Sequence, residues 1–136
     1  LGVAWRLRAI RGATTASENT VESIREVVTE LLDELETRNR LDPREIISAV
    51  FTATRDLDAI FPAAIARQRP HWDDVALLDM QQMHVEGDKK RCIRLLLHVN
   101  LPVSQAPIHH PYLREACDLR PDRNLAEVGI SGATTI

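Results

Sequence analysis

Apolar side chains at Val21, Ile24, Val27, Val28, Leu31, Leu32 and Leu35 form one stripe along a single α-helix. Asn19 reads as its N-cap, with Glu22 three residues on closing a capping box. Glu18, Glu22, Glu26, Glu30, Asp33, Glu34 and Glu36 make its polar side, a solvated face. That stripe has to be buried on something, and most of what surrounds it reads as strand.

Trp5, Leu7 and Ala9 alternate with Arg6, Arg8 and Ile10, which predicts a half-buried strand over 3–11, ended by Gly12. Asp42-Pro43 starts a single turn. Residues 46–54 read as a strand with Ile47, Ala49, Phe51 and Ala53 on one face. Asp58 is expected to cap a short helix over 59–67, with Pro62 in its first turns. Residues 75–78 form a short apolar strand, and Gly87-Asp88 marks a turn. From 91 to 99, Ile93, Leu95, Leu97 and Val99 face one way and Cys92, Arg94, Leu96 and His98 the other. Pro102, Pro107 and Pro111 punctuate a loop, and 112–119 suggests a last short strand. The expectation is an α+β fold: a mixed β-sheet with one long helix packed on it, in one domain over 1–122. Residues 123–136 are expected to form a flexible C-terminal tail. A sheet with one long helix leaves a face uncovered, and an apolar uncovered face implies a homo-oligomer.

Several functional classes find no support. At 136 residues the chain has the length of one domain. Its net charge of −3 argues against a general nucleic-acid binder. The longest apolar run, 59–66, falls well short of the about 20 residues of a membrane span, and no signal-peptide apolar region opens the chain. Cys92 and Cys117 lack CxxC spacing, which suggests reduced thiols in a cytoplasmic protein. His109 and His110 are adjacent, His71, His84 and His98 are scattered, and no metal site is expected. No GxSxG elbow, GxGxxG or Walker A sequence occurs, so neither a serine nucleophile nor a nucleotide cofactor is expected. Arginine is the unusual element. Arg11, Arg67, Arg94 and Arg120 sit at element ends or within an apolar strand, where guanidinium forks suit a small polyanion.

Five segments then occur in order: Ile10-Arg11-Gly12-Ala13-Thr14-Thr15, the run from Thr54 to Ala63, Met80-Gln81-Gln82-Met83, Arg91-Cys92-Ile93-Arg94, and Tyr112-Leu113 followed by Leu119-Arg120-Pro121-Asp122. Together they resemble the small monofunctional chorismate mutases of the bacterial, Bacillus-type AroH class, over about residues 4–122. The resemblance implies a homotrimer with a pseudo-α/β-barrel core and active sites at the subunit interfaces. It implies a cofactor-free Claisen rearrangement of chorismate to prephenate, on the route to phenylalanine and tyrosine. By matching position, Arg94 is the cation on the ether oxygen, Arg11 holds a carboxylate and Tyr112 hydrogen-bonds the side-chain carboxylate. Phe61, Ala63, Leu77, Leu78 and Leu119 match wall residues, Arg67 a basic residue at the mouth, and Arg120 a residue near the C-terminal closure.

Three positions depart from the family pattern. Many members have Lys where this chain has Ala64, Glu where it has Gln82, and Cys where it has Asp79. The last two changes look compensatory, so Asp79 is expected to accept the ring hydroxyl with Gln82 as a neutral helper. Two other readings stay open: a Rid-type enamine/imine deaminase-like trimer, which also grips a carboxylate with an interfacial Arg, and a non-catalytic binder of a shikimate-pathway acid.

Overall fold

In chain order the elements are β1 (Trp5–Thr15), α1 (Val21–Asn39), a 3-10 turn (Pro43–Glu45), β2 (Ile46–Ala53), α2 (Pro62–Arg67), β3 (Ala76–Gln81), β4 (Cys92–Pro102) and a second 3-10 turn (Arg114–Leu119). This computed structural model describes residues 4–105 and 107–120, so the tail expected over 123–136 lies outside the described residues. The four strands form one mixed sheet in the order β1-β4-β2-β3. β4 runs antiparallel to both β1 and β2, and β2 runs parallel to β3, with α2 as the crossover between them. The α+β class expected from the sequence holds.

Cross-strand partners share a face of a sheet. Ile10, Leu97, Ala49 and Leu77 line one face, followed by Gly12, Leu95, Phe51 and Asp79. This face packs under α1, whose Ile24, Val27, Val28, Leu31, Leu32 and Leu35 are all fully buried. Burying an aliphatic side chain contributes about 1.5–3 kcal/mol, so this stripe and the β4 row opposite supply most of the core. The other face carries Trp5, Leu7, Leu78, Met80 and Leu96, and Trp5 and Leu7 remain 52% and 55% exposed. No helix among the described residues is long and apolar enough to cross a membrane.

The departures from the expected elements have local causes. β1 does not stop at Gly12 but continues to Thr15. Gly12 is needed there for space: a Cβ would lie 3.1 Å from the Pro111 carbonyl oxygen and 3.2 Å from Leu31 Cδ1. Thr20, not Asn19, caps α1, accepting a 3.1 Å bond from the Ser23 N–H. Asn19 instead accepts from the Asp58 and Ala59 N–H groups and donates to the Asp58 carboxylate, clamping the loop before α2. Asp58 therefore caps no helix, and α2 opens at Pro62 with Phe61 as cap. A bulge between Ile46 and Ser48 turns Ile46 inward and leaves Ile47 47% exposed, which breaks the expected Ile47-Ala49 alternation. Residues 112–119 hold no strand: Tyr112 makes a single bridge to Ala13, and the chain then winds into the 3-10 turn.

The segment after α2 is tied to α1 through Glu36. Its Oε2 accepts from Arg69 Nε at 2.9 Å, Arg69 Nη2 at 2.7 Å and the Nε1–H of fully buried Trp72 at 3.0 Å. Removing this acceptor strands a buried N–H, which costs about 1–3 kcal/mol. Glu36→Ala is expected to lower the unfolding free energy by that amount in urea titrations, and Glu36→Gln, which keeps an acceptor, by less.

Candidate functional site

One row crosses the uncovered face: Met80, Thr52, Arg94, Ala13 and Tyr112, each paired with the next. Arg94 stands at its centre, interrupting an otherwise apolar strand. Arg11 pairs with Leu96, two residues along, so its side chain projects from the same face. Tyr112 is brought in by two backbone bonds at Ala13: the Ala13 N–H to the Pro111 carbonyl at 3.0 Å, and the Leu113 N–H to the Ala13 carbonyl at 2.8 Å. Tyr112, Ala13 and Ala116 form a small buried cluster with Leu119 packed on it. Arg120 follows directly as the cap of the second 3-10 turn.

Arg94 is held from behind. Its Nε donates to Gln82 Oε1 at 3.1 Å, and Gln82 Nε2 donates to Asp88 Oδ2 at 3.0 Å. The same Asp88 oxygen lies 3.6 Å from Arg94 Nη2. The start of β4 is locked as well. The Asp56 carboxylate accepts from the Arg91 N–H at 2.9 and 3.1 Å, and Thr54 Oγ1 accepts from the Cys92 N–H at 3.0 Å. Arg91 takes a left-handed φ of 48°, and its Nε donates to the Ala16 carbonyl. Burial works against the Asp56 charge, yet the Thr54 hydroxyl and the Arg91 N–H hold its carboxyl below the ordinary value. Cys92 is fully buried, and burial pushes its thiol up, which leaves it a poor nucleophile.

A second group gathers around α2 and β3. Phe61 stands 70% exposed at the start of α2, Ala63 is buried, and Ala64 and Arg67 follow along the helix. Leu77 and Asp79 lie on the covered face of β3, whereas Leu78 lies on the uncovered one. Asp79 Oδ1 accepts from the Ala63 N–H at 3.0 Å. Burial raises the Asp79 carboxyl above its ordinary value, opposed by that N–H and by the charge of Arg67. Phe61 and Asp79 line a cavity of about 600 Å³ with Ile24, Ile60 and Ile93; a second cavity of about 500 Å³ is lined by Gln82, Asp88, Arg55 and Arg91.

The residues singled out in the sequence therefore fall into two groups. Arg11, Leu78, Arg94, Gln82, Tyr112, Leu119 and Arg120 gather on or beside the uncovered face. Phe61, Ala63, Ala64, Arg67, Leu77 and Asp79 gather around the crossover helix. Within one chain Asp79 and Gln82 do not share a pocket, because three residues of strand spacing turn them to opposite faces. Sequence reasoning missed Asp88, read only as part of a turn, and the clasp of Asp56 on Arg91, although both clasp residues lie inside quoted motifs. Among the described residues no group of three His, Cys, Asp or Glu is placed to hold a metal ion.

Comparison with known proteins agrees with this fold. Residues 7–123 match the family model for chorismate mutase type I. The chain is 38% identical over 121 residues to the chorismate mutase AroH of Bacillus subtilis, covering 89% of this chain and 95% of that protein. It is 41% identical over 122 residues to the chorismate mutase AroH of Thermus thermophilus, covering 89% of this chain and 99% of that protein. Its fold is similar to a solved chorismate mutase from Clostridium thermocellum, with a TM-score of 0.75 at 44% identity, over 80% of this chain and 96% of that one. With the family match over most of the chain and these relatives at 38% and 41% identity, the chain belongs to the chorismate mutase type I family.

Proposed function

We propose that the chain rearranges chorismate to prephenate, binding the substrate as a dianion against Arg94 and Arg11. The observation that carries this is Arg94 itself, a guanidinium fixed from behind by Gln82 and Asp88 and standing on an uncovered sheet face beside Arg11 and Tyr112. Chorismate carries two carboxylates and an enol ether. In the rearrangement a C–O bond breaks while a C–C bond forms, and no proton needs to move. The protein has to fold the flexible side chain over the ring and place positive charge where the ether oxygen gains negative charge. An acceleration of about 10⁶-fold needs roughly 8 kcal/mol, within the combined reach of positioning and a preorganised cation. Arg94 faces the ether oxygen, Arg11 grips a carboxylate and the Tyr112 hydroxyl donates to the side-chain carboxylate. Leu119 and Arg120 flank this half.

The second half of the pocket comes from another copy of the chain, in a homotrimer with a site at each interface. Two facts support sharing: the two residue groups lie on different sides of the sheet, and the face holding Arg94 also carries exposed Leu78, Met80 and Leu96. Phe61, Ala63 and Leu77 then form the apolar wall of that half, Leu78 adds to it from the face that carries Arg94, Arg67 stands at the mouth beside Ala64, and Asp79 accepts the ring hydroxyl. The proposed setting is the cytoplasm.

Purified protein is expected to consume chorismate, followed by loss of its absorbance, and Arg94→Ala to lower kcat by at least about 10²-fold, the usual cost of one preorganised charge. Absence of turnover in the unaltered protein would refute the proposed activity. Arg94→Ala and Phe61→Glu, each inactive alone, are expected to regain turnover when unfolded and refolded together, because some mixed interfaces receive two intact halves. Activity that stays lost in the mixture would place the whole site within one chain.

Asp79 adds a pH dependence. Its carboxyl, raised above the ordinary value of 3.8, has to be ionised to accept the ring hydroxyl. As pH falls through the raised value, the acceptor is lost, so kcat/KM should decline at a pH higher than an exposed Asp would give. In Asp79→Asn the acid limb should vanish and kcat/KM at neutral pH fall at least about tenfold.

A further inference from the structure

We propose that Asp88 is a positioning residue of the active site, acting on Arg94 both directly and through Gln82; the role rests on the mutase activity proposed above. Gln82 is a neutral amide, yet it is the side chain that meets Arg94 Nε. An amide can present either its oxygen or its nitrogen to a neighbour. Asp88 removes that ambiguity, because its Oδ2 takes the Gln82 Nε2–H at 3.0 Å and leaves Oε1 to face Arg94. The same oxygen stands 3.6 Å from Arg94 Nη2, so Arg94, Gln82 and Asp88 close a triangle containing one cation and one anion.

The loop is built to hold Asp88 there. Its N–H donates to the Val85 carbonyl at 3.1 Å, closing a four-residue turn whose third residue, Gly87, has a φ of +83°. That conformation suits glycine, and it folds Asp88 back toward Gln82. The other carboxylate oxygen, Oδ1, accepts the Lys89 N–H at 2.8 Å. Lys89 Nζ in turn meets Asp118 at 2.9 Å, tying the loop to the 3-10 turn that carries Leu119. Asp88 is thus fixed on both oxygens before substrate arrives.

The carboxylate keeps Arg94 in one rotamer and one orientation while its outer edge faces the substrate. Asp79 has no part in this, since its carboxylate lies on the opposite face of the sheet within the chain. The arrangement also makes a prediction about charge. A carboxylate at position 82 would stand within hydrogen-bond distance of Asp88, so the two negative charges would repel. With Asp88 removed, the same carboxylate could meet Arg94 alone.

The test is steady-state kinetics on chorismate with four proteins: unaltered, Asp88→Ala, Gln82→Glu, and the double variant. Asp88→Ala is expected to lower kcat about tenfold without raising KM, and Gln82→Glu alone to lower kcat as well. The double variant should recover kcat to within about threefold of the unaltered protein, because a carboxylate again meets Arg94. A merely structural role for Asp88 would not be rescued by a change at position 82. The proposal is overturned if Asp88→Ala stays within about twofold of the unaltered protein, or if Gln82→Glu is as harmful without Asp88 as with it. Asp88→Asn, which keeps an acceptor for Gln82 and loses the charge, is expected to fall between the unaltered protein and Asp88→Ala. Failure of the mutase activity itself shows separately, as no chorismate consumption by the unaltered protein.

Discussion

A guanidinium in the middle of a β-sheet has to be restrained on one side and open on the other, and much of this fold serves that requirement at Arg94. An unrestrained arginine carries about 2 kcal/mol of rotamer entropy, which would be lost again at every binding event. Here the hydrogen bond to Gln82 and the charge of Asp88 restrain it in advance. Its backbone is held by β1 on one side and β2 on the other, so the strand cannot drift. Central placement in the sheet gives the positive charge a fixed origin, the condition under which a charge stabilises a transition state without reorganising.

The strand's two faces divide the work. Ile93, Leu95, Leu97 and Val99 go under α1 and are almost wholly buried, so β4 is among the most firmly packed elements of the chain. Arg94 takes its place on the other face of that same strand. The packing that stabilises the fold therefore also fixes the direction of the cation. Gly12 has a parallel role on β1. By leaving room for Pro111 and Leu31, it lets the 111–113 segment lie against the strand edge and brings Tyr112 into Arg94's row.

The parts of this arrangement visible in the sequence were those with a strong period. The α1 stripe and the 92–99 alternation stood out because burial on one face repeats over many residues. The inward turn of Ile46 did not, because one bulge shifts the pattern by a residue and leaves no compositional mark. The 112–119 segment carries no such signal, because a single bridge followed by a 3-10 turn has no period of its own. Arg11, Arg94 and Tyr112 were legible through motifs and do gather on one face. Within one chain Asp79 and Gln82 lie on opposite faces, since an odd spacing along a strand alternates the side. Asp88 was invisible for a different reason: a turn residue meets Gln82 six positions back only once the Gly87 turn is folded.

Asp79 and Asp88 consequently answer different electrostatic problems. Asp88 neutralises part of Arg94's charge, which in the proposed reading weakens the pull on a dianion but keeps the guanidinium aimed. In the proposed reading Arg11, exposed on the same face, makes up some of that pull. Asp79 sits where burial disfavours its charge, and what keeps a carboxylate tolerable there is the Ala63 N–H at the first turn of α2 and the field of Arg67. Ala64 brings no charge to that helix, so Arg67 is the cation of α2 that acts on Asp79. A carboxylate that is costly to charge and leans on a single helix cation is a poor permanent ion and a good hydrogen-bond acceptor for a hydroxyl, which is the task that the proposed reading sets Asp79.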